Sequence, residues 1–388
     1  MAEAPDRLPT SESDRIYQQE IRPLHLGGVE RSSSPTVVFV GGAPGSGKAA
    51  LVPTVAARLA TSSGAAVVVS VDALREHHPG WTREARRDGQ AAERFNHDAS
   101  RWVDRLYADA IAERKNVVFE TGFKAPQLLS DTVAKFRDAG YRAEAVILAV
   151  DADRTKRAVM GRFLDAQEKG QLPRLVTSAR HDEGYSGLRT TLQSTEVHKL
   201  LDQVQIVTRD GRERFRNTLR NDRWEREPGA VDALDKERDR VLTPAELANN
   251  AIAWHQLSTR AQLNRDTPTN VIEQALAWRK EASARALADP EAAKQYNWNL
   301  AGESFRTMGR DQFLREFPAY AGAVERLDRA TRHASQHYTN PQDRDLFIKQ
   351  TQERLSAQIE AGRQFGRIKV SDETRQASPV KDIYSPTR

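Results

Sequence analysis

Thr36-Val37-Val38-Phe39-Val40-Gly41-Gly42-Ala43-Pro44-Gly45-Ser46-Gly47-Lys48-Ala49 decides how this chain is read. An apolar, β-branched run leads directly into G-x-x-x-x-G-K, and Ala49–Leu59 follows as a helix-forming segment. In that setting the glycines let backbone N–H groups turn inward around phosphate oxygens, and the lysine reaches the outer phosphates. The N-terminus of the helix behind the loop adds its own positive end. Gly42, Ala43, Pro44, Gly45, Ser46, Gly47, Lys48 and Ala49 are thus the expected phosphate cradle of a nucleotide site. Alanine stands at 49, where the pattern has a Ser/Thr hydroxyl that holds Mg²⁺.

Downstream, further apolar runs recur: Val67–Val71, Asn116–Phe119 and Ala145–Val150, with Gln205–Thr208 as a fifth candidate. Such runs suit strands buried on both faces. Between them lie helical stretches, one placing Trp102, Val103, Leu106, Tyr107 and Ile111 on one side and another running from Thr132 to Ala139 before Gly140. Alternation of this kind predicts an α/β domain with a doubly wound parallel sheet, whose ligands sit beyond the carboxyl ends of the strands. A short helix around Asp14–Leu24 is expected at the edge of that domain.

The strand tips carry matching chemistry. Asp72, at the end of the second strand, can act as base toward a hydroxyl poised before a γ-phosphate, and its position also suits an N-cap. Glu120-Thr121-Gly122-Phe123-Lys124, at the third, suits a hydroxyl-rich substrate carrying phosphates. After the fourth strand, Arg162 and Arg174 flank Lys169–Pro173, a flexible segment of the kind that closes over a nucleotide, and can neutralise the transferring phosphoryl group. His181-Asp182 is too thin for a metal site.

After about Pro228 no strand pattern continues. Thr243-Pro244-Ala245-Glu246 is a capping box, and Thr267-Pro268, Asp289-Pro290 and Asn340-Pro341 repeat the cap-then-proline signal. The expected organisation is a polar and helical segment at 1–34, a P-loop kinase domain at 35–228, an all-α domain at 229–370 and a polar tail at 371–388. Lys+Arg 59 against Asp+Glu 54 is near balance, which argues against a nucleic-acid partner despite the slight basic excess. No apolar run approaches a membrane span, no apolar core follows the first basic residues, and there is no cysteine. A cytoplasmic protein is the expectation.

In this order and setting, residues 36–210 resemble the zeta-toxin family of P-loop kinases. The carrying residues are Gly41–Lys48, Asp72 with Arg75 and His78-Pro79, Glu120 with Thr121 and Lys124, Arg162, and Pro173-Arg174 with His181-Asp182. The resemblance implies transfer of the ATP γ-phosphate, with Mg²⁺, to a hydroxyl of a UDP-activated amino sugar, and an antitoxin as partner. It implies Lys48 on the phosphates, Asp72 as base, Arg162 and Arg174 on the phosphoryl group, and Arg75, Glu120, Thr121 and Lys124 toward the sugar nucleotide. Three departures stand out: Ala49, Glu120-Thr121-Gly122 where the family order is Glu-Gly-Thr, and the helical region after 230, which lies outside the motif. An adenine dinucleotide is the alternative acceptor. A catalytically impaired ATP- or partner-binding module is the alternative that Ala49 favours.

Overall fold

A computed structural model of the chain describes residues 7–81, 94–171 and 173–366. The expected tail at 371–388 and Leu172 of the lid segment lie outside the described residues. The described residues fall into two compact units, one formed by those up to 242 and by 253–284, the other by 243–252 and 285–366.

In the first unit, β1 (Thr36–Gly41), β2 (Ala66–Ser70), β3 (Asn116–Thr121), β4 (Arg142–Leu148) and β5 (Gln203–Val207) form the parallel part of one sheet. β6 (Glu213–Arg220) and β7 (Arg223–Trp224) extend it antiparallel, giving the order β2-β3-β1-β4-β5-β6-β7. The sheet is therefore mixed rather than purely parallel. Glu213–Arg220 is largely solvated, and it escapes a search for buried apolar runs. Every residue of β1 is buried. Its side chains alternate between two cores, Val37 and Phe39 into one, Val38 and Val40 into the other.

The second of these cores is closed by α3 (Lys48–Ser62) through Val52, Val55 and Leu59. The first is closed by α5 (Asn96–Ala112), α6 (Pro126–Asp138) and α8 (Ser178–Val197). Helices α1 (Thr10–Ile16) and α2 (Arg22–Leu26), joined by a π-turn at Tyr17–Ile21, pack beside the edge strand β2. Ile16, Tyr17 and Ile21 are fully buried in the same core, and the Trp102 indole donates to the Ser13 carbonyl at 3.1 Å. The remaining connections are α4 (Val71–Arg75), α7 (Ala152–Glu168) and α9 (Ala230–Arg238), the last burying Ala230 and Leu234 in that core.

Helices α10 (Pro244–Leu263) and α11 (Thr269–Ala288) belong to both units. Their first-unit portions pack Trp254, Val271 and Trp278 against Val159, Met160 and Phe163 of α7. Burying a side chain of this kind stabilises by about 1.5–3 kcal/mol, whereas an exposed ion pair such as Arg260–Asp165 contributes about 0–1. Apolar burial thus holds these helices to α7, and the ion pairs set direction.

In the second unit, α12 (Pro290–Thr307), α13 (Arg310–Glu316), α14 (Ala321–His337) and α15 (Pro341–Glu360) gather Phe305, Phe313, Val324, Leu355 and Ile359 into a core. The capping signals explain its helix starts. Thr243 and Glu246 bond reciprocally, the Asp289 carboxylate accepts from the Ala292 N–H at 2.8 Å, and Asn340 accepts from Gln342 at 2.9 Å. Thr267 differs: its hydroxyl donates to Gln167 Oε1 at 3.0 Å instead of serving a helix end. Among the described residues no helix is long and apolar enough to cross a membrane.

Candidate active site

Sheet order places the topological switch between the parallel neighbours β1 and β3, whose onward connections leave to opposite sides, β1 toward β2 and β3 toward β4. Gly41 pairs with Thr121 and Ser70 with Glu120, so three strand tips end at one level. The cradle Gly42–Lys48 starts there. Gly45 has φ +81° and would bring a β-carbon within 2.3 Å of the Thr155 carbonyl oxygen, so no larger residue fits the turn. Helix α3 begins without a side-chain cap, which leaves its first N–H groups facing the cradle. Ser46 Oγ is buried there without a partner among the described residues. Lys48 Nζ donates to the Gly42 and Ala43 carbonyls at 2.8 and 3.2 Å. Unpartnered donors, an uncapped helix and a lysine folded over the loop fit an anionic polyphosphate.

Asp72 lies in the first turn of α4, whose N-cap position is Ser70, so the aspartate is not spent on capping. Its carboxylate pairs with Arg75 at 3.0 Å and with Arg174. Burial pushes its pKa up, but Arg174 and then Arg75 outweigh that and hold it below the usual carboxylate range. The Asp72 side chain is nevertheless 48% exposed, open to a substrate on its free side. Arg75 is buried and donates to Asn96 Oδ1 at 2.7 Å, which fixes its fork under Asp72. His78, fully buried, accepts from the Gly80 N–H and faces the Asp98 carboxylate at 3.5 Å; it shapes the turn after α4.

Glu120 accepts from Ser70 Oγ at 3.0 Å. Thr121 Oγ1 accepts from the Phe123 N–H at 3.2 Å, and Phe123, fully buried, holds φ +52°. A left-handed non-glycine residue costs about 1–2 kcal/mol, here compensated by the buried ring beneath Gly41. Lys124 pairs with Glu183 at 3.2 Å and shares that carboxylate with Arg180, also at 3.2 Å.

Arg162 comes from α7 and Arg174 from the loop before α8. Burial, then Arg174, lowers the Arg162 pKa, while Asp72 and Glu120 oppose this. Burial likewise lowers that of Lys48, opposed by Glu120 and Asp72. Lys48, Asp72, Glu120, Arg162 and Arg174 are thus one electrostatic cluster. His181 is a structural pin: its ring bonds Thr155 Oγ1 at 2.9 Å, and burial keeps its pKa below the ordinary value.

Two contributors escape sequence reading. Arg209, two residues past β5, lies beside the cradle, its Nε 3.6 Å from where a β-carbon on Gly47 would stand. A search of every strand tip could have found it. Gln274 of α11 fastens the loop that carries Arg174, and nothing in its local sequence marks it.

Among the described residues no group of three or more histidine and carboxylate side chains could hold a metal ion. Ala49 adds no hydroxyl ligand at the head of α3. An ion here would depend on phosphates for most of its oxygens, with Glu120 and Asp72 the carboxylates that act electrostatically on the cradle lysine.

A phosphate cradle on the central strand of such a sheet, with a carboxylate and two arginines across from it, defines a phosphotransferase of the P-loop kinase class. The sequence profile of the zeta toxin family matches residues 25–221, and the chain belongs to that family. A solved structure from the PezAT chromosomal toxin–antitoxin system of Streptococcus pneumoniae is similar in fold. It superimposes with a TM-score of 0.54 at 18% identity, over 65% of this chain and 98% of that one. The AvrRxo1-ORF1:AvrRxo1-ORF2 complex overlaps more loosely. Its sulfate-bound form gives a TM-score of 0.39 at 13% identity over 71% of this chain and 86% of that one. Its ATP-bound form gives 0.40 at 13%, over 71% and 87%. No curated protein matches the chain in sequence.

Proposed function

We propose that the chain transfers the γ-phosphate of ATP to a hydroxyl of a UDP-activated amino sugar, and that it is the toxin partner of an antitoxin protein. The observation that carries this reading is the convergence of Lys48, Asp72, Glu120, Arg162 and Arg174 at the switch point. Lys48 and the cradle N–H groups hold the phosphates. The acceptor hydroxyl oxygen attacks the γ-phosphorus as the bond to the β–γ bridging oxygen breaks, and its proton passes to Asp72. A carboxylate held by two arginines is a weak base, so Asp72 acts mainly by orienting the hydroxyl and takes the proton late, as suits a loose transition state. Entering phosphates compete for Arg174 and release Asp72 to the acceptor. Glu120, Thr121 and Lys124 face the acceptor side, and magnesium bound to the nucleotide would offset phosphate charge.

The test incubates purified protein with ATP, Mg²⁺ and a panel of UDP-sugars, dinucleotides and oligonucleotides. A phosphorylated UDP-amino sugar is the expected product. Phosphorylation of a dinucleotide would move the reading to that acceptor, and no product from any acceptor alongside measurable ATP binding would end it. Ala49→Thr restores a hydroxyl at the head of α3 and is expected to raise kcat by about tenfold and to increase toxicity to a host. Equal turnover in both proteins would show that the missing hydroxyl limits nothing.

A further inference from the structure

We infer that residues 253–284, outside the stretch matched by the family, brace the loop that carries Arg174, and that Gln274 is its positioning residue. The inference rests on the reading of Arg174 as the arginine that meets the transferring phosphoryl group.

Gln274 Oε1 accepts from the Ser178 N–H at 2.9 Å, and its Nε2 donates to the Val176 carbonyl at 3.1 Å. One amide therefore clasps the backbone on both sides of residue 177, at the junction of loop and α8. Leu175 and Val176, the residues directly after Arg174, pack against the cluster that contains Trp254, Val271 and Trp278. At the other end of the segment, Arg260 pairs with Asp165 at 2.7 Å and with Glu168 at 2.9 Å. The Gln167 amide donates to the Asp266 carbonyl at 3.1 Å and its oxygen accepts from Thr267. The chain is thus fastened before and after Arg174 by residues of 253–284, none of which belongs to the cluster.

The physical effect is preorganisation. A loop such as Pro173–Thr177 loses backbone freedom when its arginine must meet a transition state, and a loop already clasped loses less. Arg174 held on Asp72 needs only to transfer its fork to phosphate. Gln274 touches no substrate and acts through the loop backbone.

The test uses the full chain. Gln274→Ala should lower kcat about 10- to 100-fold and leave KM for ATP within about threefold, because Lys48 and the cradle are untouched. Amide exchange of residues 173–178 without nucleotide should speed at least about tenfold, with Tm close to that of the parent. Arg260→Ala, at a partly exposed ion pair, serves as second variant in case the first does not fold, and should speed exchange at 165–171. Unchanged exchange in the folded variants overturns the brace whatever the activity. Faster exchange with unchanged kcat overturns Gln274 as a positioning residue. If the parent protein phosphorylates nothing yet exchange speeds as stated, the brace stands and the kinase reading falls.

Discussion

Arg174→Ala is expected to lower kcat by about 10³-fold, because an arginine placed on a transferring phosphoryl group is worth about 10³–10⁵. The same change should move the acid limb of the pH–rate profile. In the proposed reaction Asp72 acts as the carboxylate, and its pKa is held below the usual carboxylate range. Burial alone would raise it, and Arg174 is the largest influence pulling it down. Activity that depends on the carboxylate is lost as pH falls through that depressed value. Without Arg174, burial is less opposed, so the limb shifts to higher pH. Measuring kcat against pH for both proteins checks this, and a limb that stays in place would show that Asp72 is not the group that titrates. Arg174→Lys, which keeps charge but not the planar fork, should recover only part of the loss.

Asp72→Asn should cost about 10²–10⁴ in kcat, the range for removing a general base. Nucleotide binding should be kept or tightened, since Arg174 and Arg75 lose a carboxylate and turn to phosphate. Because the Asp72 side chain is 48% exposed, its loss as an ion-pair partner of Arg174 costs only about 0–1 kcal/mol, so unfolding cannot account for a large drop in rate. Single-turnover assays with equilibrium nucleotide binding separate the two effects. Turnover within a few-fold of the parent would remove Asp72 as the base.

The parallel strands were legible because each is buried on two faces, and burial leaves an apolar run in the sequence. β6 was not, since a strand solvated on one face needs only Phe215, Asn217 and Leu219 to face inward. The Asp210-Gly211 pair before it is a hairpin signal that would have marked it. The site was legible at the strand tips because a doubly wound sheet gathers them. What could not be read is pairing across distance. Arg174 meets Asp72 from 102 residues away, and Lys124 turns to Glu183, 59 residues on. Such partners depend on how α7 and α8 cross the sheet, which no local pattern encodes.

The cradle is also shaped by atoms that are absent. Gly184, in the middle of α8, lies against Pro44, and a methyl group there would stand 2.8 Å from the proline ring. By helix propensity alone, Gly184→Ala should stabilise by about 1 kcal/mol. Against a rigid ring it should instead push the cradle out of shape, so ATP affinity falls while Tm holds or rises. A mutational survey read by activity would then score position 184 as catalytic, though it bears no functional group. Unchanged ATP affinity in that variant would show that Pro44 can yield. The intolerance at 184 records a helix used as a mould, and the chemistry it protects is cast 140 residues earlier in the chain.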